Sequence, residues 1–219
     1  MSKVESPELR TLIPAEVIER RMEVMAAEIV ADFKKKRKSE SDVITIVLVL
    51  DGAIDFVVDL RRAIRRLGIS TKTVTIRSSS YGNDTVSSGD PTIDQDFSAE
   101  DIEEQYIVLA DDLIDEGFTL EKIGSILADL KPCVLHVAVM LAKVRRGKVK
   151  SNFKFKPGKV FTGFYVPKLL WIVGRGVDLA GGYRDKEEVI GYLRNKREKW
   201  VAANYLRKAK KVGHENWRP

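Results

Sequence analysis

The stretch Tyr106-Ile107-Val108-Leu109-Ala110-Asp111-Asp112-Leu113-Ile114-Asp115-Glu116-Gly117-Phe118-Thr119-Leu120 (YIVLADDLIDEGFTL) decides the reading of this chain. Its first five residues are apolar and of strand length. They run into the carboxylates Asp111, Asp112 and Asp115, then Gly117, then a helical pattern through Leu130. Burying three unpaired carboxylates is costly, so they are expected at a strand end that faces solvent or ligand. Hard oxygen ligands of this kind suit Mg²⁺ or accept hydrogen bonds from sugar hydroxyls. The turn after them presents backbone N–H groups at a helix N-terminus, a ready anion site. Together they suit a ligand with a ribose and a phosphate. An acidic helix cap, favoured by the helix dipole alone, explains the same residues, and composition does not choose between the two.

Working outward, residues 43–50 (VITIVLVL) form a β-branched run with little polar alternation, the pattern of a strand covered on both faces. Residues 14–36 repeat apolar positions at three- and four-residue steps (Val17, Ile18, Met22, Met25, Ala26, Ile29, Val30, Phe33) and predict a helix. Residues 53–66 predict a second helix, closed by Gly68. Further strands are expected at 72–77, 134–141, 161–166 and 169–173, with a basic segment at 143–159. Residues 78–104 are long, polar and rich in Ser, Asp and Gly, as in a functional lid. The alternation of strands and helices predicts an α/β fold: a mostly parallel twisted sheet flanked by helices. In such sheets, ligands bind beyond the carboxyl ends of the strands.

The chain has 219 residues, 44% apolar and 32% charged, a balance expected of one domain with its own core. No apolar run approaches the 18 residues of a membrane span, and residues 1–7 carry no hydrophobic signal core; a cytoplasmic location is expected. One cysteine, Cys133, excludes a disulfide framework, and two distant histidines, His136 and His214, argue against a His-ligated metal. The net charge is +6, and residues 186–219 hold 10 Lys and Arg against 4 Asp and Glu, leaving 28 of each sign elsewhere. The expected organisation is a domain over 1–185, with the lid at 78–104, and a basic helical extension over 186–219. A helix is expected over 187–212, with Val189, Ile190, Leu193, Trp200, Val201 and Leu206 as its apolar stripe. Such a tail is a solvated helix face, a helix packed on the body or a dimer interface, or a site for an anionic or RNA partner through Trp200, Tyr205 and Trp217.

The 106–120 segment resembles the phosphoribosyl-pyrophosphate (PRPP) signature of type I phosphoribosyltransferases: an apolar strand, two acids, two aliphatics, then Asp-Thr-Gly-x-Thr. More narrowly, the chain resembles the 6-oxopurine members, the hypoxanthine-guanine phosphoribosyltransferases. Residues 47–53 (VLVLDGA) are similar to the family's pyrophosphate loop, and 79–82 (SSYG) to the Ser-Tyr pair of its lid. Residues 171–178 (WIVGRGVD) with Tyr183-Arg184-Asp185 are similar to its purine-binding strand and following loop. The four motifs occur in order, and the resemblance spans roughly residues 14–190.

The resemblance implies a type I phosphoribosyltransferase-like fold with a small hood. It implies purine salvage: Mg²⁺-dependent transfer of 5-phosphoribosyl from PRPP to hypoxanthine, guanine or xanthine, releasing pyrophosphate and a purine nucleoside monophosphate. Asp111 and Asp112 would take the ribose hydroxyls, directly or through Mg²⁺. Asp115 would face purine N7 as general acid/base. The backbone of Glu116, Gly117 and Phe118, with the Thr119 hydroxyl, would hold the 5′-phosphate; Asp51 and Gly52 would lie in the pyrophosphate loop. Trp171, otherwise readable as a core tryptophan, would stack on the purine, and the Ile172 backbone would read its edge. Asp178, in the loop after the purine strand, would act at the pyrophosphate through a second Mg²⁺, and Arg184 directly. Lys143 is the choice for the cation that donates to purine O6, with Lys148 or Lys150 as alternatives and a plain basic hairpin as the bland one. Ser80 and Tyr81 would close the lid and exclude water. The family is usually a homodimer or homotetramer.

The chain departs from the pattern at Asp111, where Glu is usual, at Asp51, where Lys is frequent, and at Glu116, which stands for Thr. The last two put acids where phosphates should bind. They leave open a sister phosphoribosyltransferase using another base, and a non-catalytic regulator that senses PRPP or nucleotide, binds RNA or serves as a structural subunit.

Overall fold

The computed structural model describes residues 6–39, 42–79, 92–145, 148–149, 153–179 and 182–216. Ser80, Tyr81, Lys150 and Trp217 lie outside them.

The β-branched run forms β2 (Ile44–Leu50), as its composition demands. It is hydrogen-bonded in parallel to β3 (Thr71–Ser79) on one side and to β5 (Tyr106–Ile114) on the other. β5 pairs in parallel with β6 (Val134–Arg145), and β6 with β8 (Val160–Pro167). Two short antiparallel strands complete the seven-stranded sheet: β4 (Thr92–Gln95) on β3 and β7 (Lys148–Val149) on the end of β6. β4 breaks the expected 78–104 loop; four residues in polar surroundings are too few for their periodicity to show.

Strand alternation sends Ile44, Ile46 and Leu48 to one face of the sheet and Val47 and Val49 to the other. Both faces are covered. Helices α1 (Ala15–Lys36) and α2 (Ile54–Arg66) bury Met22, Met25, Ile29, Phe33, Phe56, Leu60 and Ile64 with the first set. Helix α3 (Phe118–Asp129) buries Leu120, Ile123 and Leu127 with the second. Each such side chain, fully buried, contributes about 1.5–3 kcal/mol.

At the N-terminal end of the strands, α1 presents Asp32, only 5% exposed, to Tyr106 and His136. Its carboxylate accepts from the Tyr106 hydroxyl at 2.9 Å, His136 Nε2 at 2.9 Å, Lys36 at 3.0 Å, and Lys159. The histidine that interrupts the β6 pattern is thus a satisfied core residue on Nε2.

A second, three-stranded antiparallel sheet forms the hood: β1 (Glu8–Ile13), β10 (Val189–Leu193) and, at the edge, β9 (Trp171–Val173). This corrects the expected 187–212 helix. Residues 189–193 are paired on both sides, Thr11 with Ile190 and Ile172 with Gly191, and the helix begins only at α4 (Lys196–Val212). Long-range pairing overrides the helical reading of Val189, Ile190 and Leu193, whose β-branched content suits a strand. The stripe also differs from the expected one. Ala202, Tyr205 and Ala209 of α4 lie in the same core as α1, Val201 and Leu206 pack partly against it, and Trp200 stands 68% exposed. Asn195 caps α4, accepting from the Glu198 N–H at 2.9 Å. No helix of the described residues is long and apolar enough to cross a membrane.

Candidate active site

β5 runs four residues further than its apolar start, so Asp111 and Asp112 lie inside the strand, not beyond it. Asp111 pairs with Val139 of β6 and is 7% exposed. Its carboxylate accepts the Asp112 backbone N–H at 2.9 Å. Burial, and then the adjacent Asp112 charge, pushes the Asp111 carboxyl well above the ordinary carboxylate range. Burial also raises Asp112, opposed by its bonding to Asp111 and by the Arg184 charge. Two carboxylates crowded together in this way do not both ionise readily unless a cation stands beside them.

Three loops meet at this pair. A Cβ at Gly52 would lie 2.2 Å from Asp112 Oδ2, and one at Gly176, φ +90°, would lie 1.8 Å from the Gly52 carbonyl. Only glycine at both positions lets the 51–53 turn and the 174–177 turn close over the acids. Arg184 Nη1 then donates to the Gly176 carbonyl and Nη2 to Asp178 Oδ1, both at 3.0 Å. Asp112, Gly52, Asp178 and Arg184 therefore assemble around one point although 132 positions separate the outermost two in the sequence.

Asp51 does not face this point unaccompanied. Leu50 is the register partner of Arg77 on β3, and Arg77 Nη2 reaches Asp51 Oδ1 at 2.9 Å. Arg77 has no motif to mark it; only the parallel register brings it to the loop.

A second group follows from the β5–β6–β8 register. Ile114 pairs with Ala142, so the next step sets Asp115 beside Lys143, and Lys143 Nζ donates to Asp115 Oδ2 at 3.1 Å. Lys143 pairs in turn with Val166 on β8. Two residues on, in the turn after β8, comes Lys168, whose N–H donates to the Val144 carbonyl at 2.9 Å. Lys168 Nζ donates to both Asp115 Oδ1 and Glu116 Oε1. Burial works to raise Asp115, but Lys168 and Lys143 outweigh it and hold this carboxyl below the usual range. The bonds to Asp115 and Glu116 hold the Lys168 ammonium above its ordinary value. Sequence reading missed Lys168, since its partners are 52 and 53 positions away. Of the other lysines weighed, Lys148 sits exposed in β7.

Gly117, at φ +78°, turns the chain into α3. The first intrahelical bond runs from the Glu121 N–H to the Gly117 carbonyl at 2.9 Å. The N–H groups of Phe118, Thr119 and Leu120 therefore precede the ladder and point out of the helix end. Phe118 is 65% exposed, which leaves its backbone as the useful part. On the hood, Trp171 is exposed, with the Arg194 guanidinium 4.7 Å from its ring centroid. Arg194 is itself held by Glu198 at 2.8 Å. Ile172 is buried in the edge strand β9.

A buried acid pair on a central parallel strand, an arginine whose charge reaches it and a glycine turn into a helix N-terminus make an arrangement that can grip a ribose together with its phosphates. The family model of the phosphoribosyl transferase domain matches residues 15–163, and the chain belongs to the phosphoribosyltransferase family. Among its relatives is the hypoxanthine-guanine phosphoribosyltransferase of Aquifex aeolicus, 34% identical over 189 residues, covering 86% of this chain and 97% of that one. The hypoxanthine phosphoribosyltransferase of Buchnera aphidicola is 31% identical over 168 residues, covering 77% and 89%. The solved hypoxanthine phosphoribosyltransferase of Trypanosoma cruzi shares the fold, with a TM-score of 0.68 at 22% identity over 85% of this chain and 97% of that one. These relatives place the chain on the purine side of the family, as an enzyme of nucleotide salvage.

Proposed function

We propose that the protein transfers the 5-phosphoribosyl group of PRPP to N9 of a 6-oxopurine, giving the nucleoside monophosphate and pyrophosphate. The observation that carries this reading is the Asp115–Lys143 pair, a carboxylate and an ammonium 3.1 Å apart at adjacent strand ends. A 6-oxopurine free to react at N9 carries its proton on N7, beside the O6 acceptor. The carboxylate accepts from N7–H and the ammonium donates to O6. A 6-aminopurine offers N–H donors to the same ammonium and is disfavoured.

In the reaction, the N9 lone pair forms the bond to C1′. The C1′–O bond to pyrophosphate breaks, and its electron pair leaves with the pyrophosphate oxygen. The N7 proton passes to Asp115, which its two lysines keep ionised and ready to accept. Asp111 and Asp112 hold the ribose hydroxyls, Arg184 and the Gly52 backbone the pyrophosphate, and the backbone from Glu116 to Thr119 the 5′-phosphate. Trp171 stacks on the base with Arg194 behind it. Ile172 reads the base edge through its backbone, and Asp178 joins the pyrophosphate side. Positioning and charge do most of this work.

Asp111 and Asp112 fit Mg²⁺. Among the described residues no three acidic, His or Cys side chains form a complete metal cage. Mg²⁺ is commonly held by one or two carboxylates plus substrate oxygens, and the buried pair supplies that much. When bound, the ion would neutralise charge on the pyrophosphate; Asp178 would hold a second. The reading carries with it a cytoplasmic enzyme working as a homodimer or homotetramer.

The two acids that argued for a non-catalytic descendant are each met by a cation, Asp51 by Arg77 and Glu116 by Lys168. The test is nucleotide formation from PRPP and Mg²⁺ with guanine, hypoxanthine, xanthine and adenine in parallel, with Asp115→Ala beside the wild type. Turnover of an oxopurine, lowered about 10²- to 10⁴-fold in the variant, is expected. Turnover of adenine alone, or of no base, would overturn the reading.

A further inference from the structure

Glu116 is the second residue of the turn that leads from β5 into α3, directly before Gly117, and carries a carboxylate beside the free N–H groups of the helix start. Left alone it would repel a phosphate in that turn. Lys168, from the turn after β8, donates to it, and both side chains are about one-third exposed or less, so their attraction is only partly screened by water. The same ammonium also reaches Asp115, but Asp115 has a second cation in Lys143. Removing Lys168 thus leaves Asp115 paired while it strips Glu116 of this ammonium.

We propose that Glu116 and Lys168 form one charge-compensated unit, in which Lys168 is the positioning residue that makes the 5′-phosphate turn able to bind an anion despite its own carboxylate. The inference rests on the phosphoribosyltransferase reading and adds a specific role to it. Lys168 sets the affinity for phosphate-bearing ligands, PRPP and the nucleoside monophosphate, more than affinity for the free base. The lysine stands between the base edge, marked by Asp115, and the phosphate turn, marked by Glu116. It is therefore placed to sense whether the ligand carries the 5′-phosphate.

The two members of the unit make a double-mutant cycle the direct test. Binding of PRPP and of guanosine 5′-monophosphate, with Mg²⁺, is measured by calorimetry on the full chain for wild type, Lys168→Met, Lys168→Arg, Glu116→Thr and the Glu116→Thr/Lys168→Met double variant. Lys168→Met is expected to weaken both ligands roughly 10- to 100-fold, the span of one lost charge-assisted hydrogen bond. The KM for guanine should move by less than about 3-fold, a split that a merely structural loss would not produce. Lys168→Arg should stay near wild type. In the Glu116→Thr background the lysine should matter little, because the carboxylate it answers is gone. Wild-type affinity in Lys168→Met, or a full loss repeated in the Glu116→Thr background, overturns the unit while leaving the enzyme reading intact. Absence of PRPP and nucleotide binding in the wild type overturns the enzyme reading and this inference together. A Lys168→Met chain that does not fold leaves Lys168→Arg and Glu116→Thr to decide: the inference then requires Glu116→Thr to bind phosphate ligands at least as tightly as wild type.

Discussion

Lys143 and Asp115 stand at the ends of adjacent parallel strands with Nζ and Oδ2 3.1 Å apart. The spacing follows from the β5–β6 register, in which Ile114 already faces Ala142. Backbone pairing up to Ile114 thereby sets Asp115, the first residue past β5, beside Lys143 within β6, and a side chain held this close to a strand keeps its geometry better than one far out on a loop.

Replacing Lys143 with Met should therefore relax the choice of base. The variant is expected to lose about 1–3 kcal/mol of preference for guanine over adenine, the worth of one base-edge pairing. Competition between the two bases for PRPP, read as the ratio of kcat/KM values, measures it. An unchanged ratio would remove Lys143 from O6 recognition.

Arg77 and Asp51 are each about half exposed. Breaking such a pair should cost stability at most about 1 kcal/mol, since water screens it. Its effect on ligand should be larger. Arg77→Ala leaves the Asp51 charge beside the pyrophosphate turn, so pyrophosphate inhibition is expected to weaken about 10-fold while Tm moves by a few degrees at most. Adding Asp51→Asn should recover part of that loss.

Asp32 and His136 predict how stability depends on pH. Burial alone would raise the Asp32 carboxyl, but Lys159, His136, Lys36 and Tyr106 outweigh it and hold it far below its ordinary 3.8. A depressed acid contributes stability that is present above its unfolded pKa and lost as pH falls through the folded one. Burial, partly offset by Asp32, lowers His136 below its ordinary 6.5. The unfolded chain therefore takes a proton there before the folded one, and this too destabilises the fold as pH drops. Tm should start to fall below about pH 6.5 and fall more steeply below about pH 4. Asp32→Asn should flatten the steeper phase in part, since Asp115 and Glu198 are also held low, and should cost about 1–3 kcal/mol at neutral pH, because the buried acceptor loses its charge-assisted bonds while Lys36 and Lys159 still reach water. Chemical denaturation of the wild type and Asp32→Asn at pH 3, 5.5 and 7.5 checks both statements; equal stability of the wild type at all three would refute them.

Metal removal gives a fourth check. Chelation with EDTA should stop turnover. Mg²⁺ should restore it and Ca²⁺ should not, since two carboxylates and ligand oxygens suit a small octahedral ion. Asp111→Asn and Asp112→Asn should each raise the Mg²⁺ concentration needed for half-maximal rate. Full activity in EDTA would rule out the metal role of this pair.

Much of the architecture is written in local pattern. Residues 43–50 have no polar alternation, so the strand they form must be covered on both faces, and it is. The helical periodicity of 14–36 and 53–66 emerges as α1 and α2 nearly residue for residue. The acid-rich strand end, the glycine turn and the helix after it could likewise be read from one 15-residue segment, because their chemistry is contiguous. What escaped was non-local. β1, β4 and β10 are short strands that owe their conformation to partners distant in sequence or set among polar residues, so the apolar stripe drawn from 189 to 206 pointed to helix although 189–193 pair with Glu8–Ile13 and Trp171–Val173.

The same division runs through the site. The sequence by itself determined which side chains carry charge and that three carboxylates precede a glycine turn into a helix, since those are properties of composition and spacing. Only the tertiary structure decided how the charges are answered: Arg77 for Asp51, Lys168 for Glu116, and Arg184 brought to Asp178 beneath the close approach of Gly52 and Gly176. The reason is physical. A charge acts over a few ångströms of space whatever its distance along the chain, and strand register, which no short window of sequence contains, sets which charges come within that reach.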